Sequence, residues 1–82
     1  MITCQLYDSI ELLCMKHFCV SVYLLNGRCI TGIALDTARN SQRIECLKIS
    51  LPDDNTELIV LTDISLIKVN TKNTYMSEVR FT

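Results

Sequence analysis

The sequence predicts a mainly β fold with one N-terminal α-helix: a small, strongly bent antiparallel barrel or sandwich capped by that helix. Helical spacing of apolar residues occurs only near the N-terminus. From Cys19 onward, apolar residues alternate or run in short blocks, and turn-forming clusters separate those blocks. A sheet built from such short strands cannot bury its apolar face alone, so the helix is expected to cover one open end.

The helix is read from YDSIELLCMKHFC (7–19). Asp8 followed three residues later by Glu11 has the form of a capping box. Ile10, Leu13, Cys14, His17 and Phe18 then recur at i, i+3, i+4, i+7 and i+8, one face of a helix of about three turns that fades near Phe18. Val20, Val22 and Leu24 alternate with Ser21 and Tyr23 as a first strand. Asn26-Gly27 follows and predicts a type I′ hairpin turn. Arg28 to Leu35 returns as a second strand, with Gly32 marking a bend or a close backbone approach. The polar stretch Asp36 to Gln42 is expected to end it. Arg43 to Ser50 reads as a third strand, the 52–56 cluster PDDNT as a turn, Glu57 to Thr62 as a fourth strand and Ile64 to Val69 as a fifth. Residues 70–82 are expected to be a loop and a short edge strand, within one domain spanning 1–82.

Composition narrows the function. The chain has 82 residues, 49% apolar and 21% charged, with a net charge of −1. These values describe a single globular domain without a general electrostatic pull toward nucleic acid. Apolar runs are too short for a membrane span, and no basic segment precedes one at the N-terminus, so a cytoplasmic location is expected. The five cysteines form no Cys-x-x-Cys pair and are odd in number, which favours reduced thiols acting as small apolar side chains. Cys14, His17 and Cys19 raise the question of a metal site or a thiol nucleophile. A closed zinc site needs a fourth ligand, and thiol catalysis needs an orienting group and oxyanion donors that a chain with two glycines does not offer. The expectation is a protein that is not an enzyme and holds no metal or cofactor.

Charge distribution is more informative. Asp8 and Glu11 stand beside Tyr7 with no Lys or Arg among the first fifteen residues. Capping and the helix dipole account for carboxylates at a helix start. An aromatic ring flanked by two carboxylates is also a surface suited to a basic, nucleic-acid-binding groove. Arg39 and Arg43 make the loop after the second strand locally basic.

The segment VSVYLLNGRCITGIALDTARN (20–40) resembles the first Sm motif through Val20, Val22, Leu24, Gly27, Gly32, Asp36 and Asn40. Asp36 follows Gly32 more closely than in RNA-binding Sm proteins, and the Arg-Gly pair of the second motif is missing from LTDISLIKV (61–69). Across residues 2 to 69 the chain resembles more specifically the Rof (YaeO) family of Rho-specific inhibitors of transcription termination. The resemblance is carried by Cys4, Tyr7-Asp8, Glu11-Leu12, Cys14, His17, Leu24-x-x-Gly27, Ala34-x-Asp36, Glu45-x-Leu47 and Leu61-x-Asp63-Ile64. It implies an Sm-like fold and a monomeric, non-enzymatic inhibitor of bacterial Rho-dependent termination. Such an inhibitor binds the Rho N-terminal domain and keeps RNA from the primary binding sites without binding nucleic acid itself. The residues it points to are Tyr7, Asp8 and Glu11 on the helix, and Arg39, Asn40 and Gln42 after the second strand. Relatives carry further acidic residues where this chain has Gln5-Leu6. The alternative is an Sm-like RNA-binding oligomer, which would form stable rings and bind oligo-uridine.

Overall fold

The computed structural model describes residues 4–81; residues 1–3 and 82 of the expected domain lie outside it. One helix, α1 (Cys4–Met15), precedes six strands: β1 (Cys19–Leu24), β2 (Cys29–Arg39), β3 (Glu45–Ser50), β4 (Thr56–Val60), β5 (Ile64–Val69) and β6 (Glu78–Arg80). A single 3-10 turn, Leu61–Asp63, joins β4 to β5. The strands form one antiparallel sheet in the order β4-β3-β2-β1-β5-β6. This is the helix-plus-bent-sheet architecture expected, with one correction. The sheet is not closed into a barrel: β4 and β6 are its edges, and the 3-10 turn carries the chain between β4 and β5, which do not pair. No described helix is long and apolar enough to cross a membrane.

The inward face follows strand alternation. Val20, Val22, Ile30, Ala34, Leu47, Ile49, Ile59, Ile67 and Val79 are buried, and Ile10, Leu13 and Cys14 of α1 complete the same cluster with Phe18. Gly32 lies where β2 first meets β3, and a Cβ there would overlap the Ser50 carbonyl and the Ile49 side chain. The close approach read from the sequence is therefore real. Beyond it, Leu35 forms a bulge between Ala34 and Asp36, after which pairing resumes. The polar stretch Asp36 to Gln42 does not end the strand as expected: residues 36–39 pair with Lys48, Leu47, Cys46 and Glu45. Their polarity reflects an exposed surface rather than a loop.

Three hairpins close with the same three-residue turn. The Leu24 N–H donates to the Arg28 carbonyl at 2.8 Å while Gly27 N–H donates back to Leu24 at 3.0 Å. Asn40, Arg43 and Ile44 repeat the pattern, as do Leu51, Asp54 and Asn55. The residue before the closing position is left-handed each time, with φ of 92° at Gly27, 63° at Arg43 and 69° at Asp54. The expected type I′ turn at Asn26-Gly27 is thus replaced by a longer loop in which only Gly27 has positive φ. Asn26 is spared that conformation, and its Oδ1 accepts the Arg28 N–H at 3.0 Å.

Candidate functional site

The helix begins four residues before Asp8, so the capping box is not formed. Asp8 and Glu11 lie along the flank of α1 instead of at its tip. Tyr7 and Glu11, four residues apart, share one stripe of the helix, with Asp8 beside them. Asp8 and Glu11 are exposed, whereas Tyr7 is half-buried and packs against the core cluster. Neither carboxylate has an ion-pair partner among the described residues.

A Schellman motif ends the helix and fixes its position on the sheet. Phe18 N–H donates to the Leu13 carbonyl at 3.1 Å and His17 N–H to Cys14 at 3.2 Å, with His17 left-handed at φ 51°. His is among the residues that tolerate this backbone best after glycine. The ring is not on the buried face as the helical spacing suggested; it is exposed, and Nδ1 lies 3.2 Å from the Ala34 carbonyl. Ala34 N–H in turn donates to Phe18 at 3.0 Å, so both backbone groups of this one β2 residue hold the helix end.

The helix stands against β2 in consequence, and the two elements form a seam. One groove of about 340 Å³ is lined by Tyr7 and Glu11 from α1, Thr37, Ala38 and Arg39 from β2, and Glu45 from β3. A neighbouring hollow of about 430 Å³ shares Glu11 and Thr37 and adds Cys14, Met15, His17, Leu35 and Asp36. The structure therefore brings Tyr7, Glu11 and Arg39 together. Asp8 borders this surface without lining the groove. Arg39 Nη2 lies 3.6 Å from Glu45 Oε1 across the β2–β3 pair. Asn40 serves the turn: its Oδ1 accepts the N–H groups of Gln42 at 2.9 Å and Ile44 at 3.1 Å. Gln42 is exposed at the turn.

Thr37 was not singled out by its sequence context, and Asp36 and Glu45 entered only as motif positions, not as candidate site residues. The opposite charges of Arg39 and Glu45, flanking a turn at Asn40 to Ile44, could have signalled a hairpin register. Burial first, and then the nearby carboxylates of Asp36 and Glu11, together push the Cys14 thiol up to about 11. The thiol is therefore protonated near neutrality and a poor nucleophile. Cys19 is half-buried and is held through its backbone N–H, which donates to Thr71 Oγ1 at 2.8 Å. Among the described residues no group of three His, Cys, Asp or Glu side chains is placed to hold a metal ion.

The family model for modulators of Rho-dependent transcription termination (ROF) matches residues 1–81. Among solved structures, the chain is similar to YaeO bound to magnesium from Vibrio cholerae O395. Identity is 32%, coverage is 93% of this chain and 97% of that one, and the TM-score is 0.87. No curated protein matches the chain.

Proposed function

The chain belongs to the ROF family of modulators of Rho-dependent transcription termination, and from that premise we propose that it is a non-enzymatic inhibitor that docks directly on Rho. On this reading it covers the N-terminal RNA-binding domain of Rho and keeps RNA from the primary sites, acting as a monomer in the cytoplasm. The observation that carries the reading is the α1–β2 seam, where Glu11 and Asp8 stand exposed beside Tyr7 with no ion-pair partner among the described residues. A cleft that binds RNA must be basic to hold phosphates, so carboxylates fixed on a folded flank can fill it as a steric and electrostatic block.

Exposed ion pairs contribute only ~0–1 kcal/mol each, so the two carboxylates supply orientation and discrimination more than affinity. The Tyr7 ring, already half desolvated against the core, supplies apolar contact at little ordering cost. Gln42, at the exposed turn, extends the contact along the same side, with Arg39 and Asn40 at its border. The absence of further acidic residues at Gln5-Leu6 leaves Asp8 and Glu11 as the charges that matter.

Asp8→Lys combined with Glu11→Lys tests this. Because α1 starts at Cys4, neither substitution removes a cap, and the stability measured by urea unfolding is expected to stay within about 0.5 kcal/mol of the parent. Binding to purified Rho, followed by size-exclusion chromatography and titration calorimetry, is expected to be lost. A folded double variant that binds Rho as tightly as the parent chain would remove the seam from the interface.

A further inference from the structure

Within the seam, one cation stands among carboxylates. Arg39 and Glu45 flank the turn joining β2 to β3, with Nη2 and Oε1 3.6 Å apart. Both side chains keep much of their surface in water, so the pair is screened and loosely held. Tyr7 and Glu11 line the same groove. Asp36, next to it, stands opposite Lys48 in the β2–β3 register without forming an ion pair, and Glu11 likewise has no ion-pair partner among the described residues. The seam is negative, and Arg39 partly neutralises it from its edge.

We propose that Arg39 is an internal counter-ion of the docking surface: in the free protein it holds, beside Glu45, the position that a cationic side chain of Rho takes on binding. This rests on the docking reading above and assigns Arg39 a gating role in place of direct attraction to the partner. A basic cleft approaching the seam meets Arg39 as a like charge. Glu45 meets it as an uncompensated charge once the guanidinium turns away. The turn does not depend on that guanidinium, because Asn40 Oδ1 already holds the N–H groups of Gln42 and Ile44. Removing it therefore uncovers Glu45 while the hairpin stays closed.

Titration of purified Rho with the parent chain, Arg39→Gln, Arg39→Lys and Arg39→Gln/Glu45→Gln tests the assignment. Arg39→Gln is expected to bind about 2–5-fold more tightly at low salt, the range set by one exposed charge pair. That gain should shrink as salt rises and the charges are screened. Arg39→Lys, which keeps the charge, should match the parent, and the double variant should lose the gain. If Arg39→Gln binds equally or more weakly while the parent binds well, the counter-ion role is refuted and the docking reading survives. If the parent chain itself does not bind Rho, the docking reading falls, and this one with it.

Discussion

Replacing His17 separates two effects that meet at the end of α1. The residue is left-handed, which costs an L-residue roughly 1–2 kcal/mol relative to an ordinary helical backbone. Its ring also bonds the carbonyl of the buried residue Ala34, a contact worth about 0.5–1.5 kcal/mol net. His17→Ala keeps the unfavourable backbone and loses the bond, so a loss of about 0.5–1.5 kcal/mol is expected. His17→Gly loses the same bond but relieves about 1 kcal/mol of backbone strain, giving a net change within about 0.5 kcal/mol of the parent. In a domain of this size each kcal/mol moves the midpoint by about 4–8 °C, so the two variants should be resolved by thermal unfolding as well as by urea. Amide exchange adds a local readout. The Phe18 N–H, which donates to Leu13, should lose protection in His17→Ala more than amides of β5 do. A glycine variant no more stable than the alanine variant would mean that position 17 is not left-handed. If both variants match the parent, the ring-to-Ala34 contact contributes nothing to holding the seam.

Gly32→Ala reverses the usual sign for a strand glycine. Alanine normally gains about 0.5–1 kcal/mol there, but the new methyl would strike the Ser50 backbone, so a loss of about 2–3 kcal/mol in urea unfolding is expected, and any gain refutes the close packing of β2 on β3. Cys14 gives the chain an alkaline weakness. Its folded thiol titrates at about 11 against an ordinary 9.0, so its contribution is complete below pH 9 and is lost as pH rises toward 11. That amounts to about 2–3 kcal/mol. Cys14→Ala will be less stable at pH 8 yet should show a shallower decline between pH 9 and 11. Parallel declines would mean that the buried thiol is not the titrating group.

Local order was legible wherever a signal is carried by residues close in the chain. The i, i+3, i+4 recurrence of Ile10, Leu13 and Cys14 marked the buried face of α1 because helix periodicity is set by the backbone itself. The bounds of β5, Ile64–Val69, followed from a short apolar block between polar neighbours. Gly32 announced a backbone contact because only a residue without Cβ fits there. Tyr7, Asp8 and Glu11 stood out through charge and aromatic character and through the family resemblance, neither of which is geometry. The start of α1, by contrast, was misplaced. Asp8 and Glu11 imitate a cap, yet Leu6 and Tyr7 pack against the core, and that burial favours helix upstream of Asp8.

Other features depend on partners distant in sequence. Residues 36–39 look like a loop until β3 supplies their hydrogen bonds, and no pattern within them foretells the Leu35 bulge that re-registers the pair. The left-handed Arg43 and Asp54 are imposed by hairpin closure and carry no glycine to reveal them. Whether the sheet closes is decided by β4 and β5, which the 3-10 turn keeps from pairing. The same holds for the seam. By itself the sequence determined that an acidic, tyrosine-bearing helix would face outward, because side-chain chemistry and periodicity are local. Only the tertiary structure set that flank beside Arg39 and Glu45. A groove exists between two elements only once long-range hydrogen bonds, here those of Ala34 to residues 17 and 18, fix their distance.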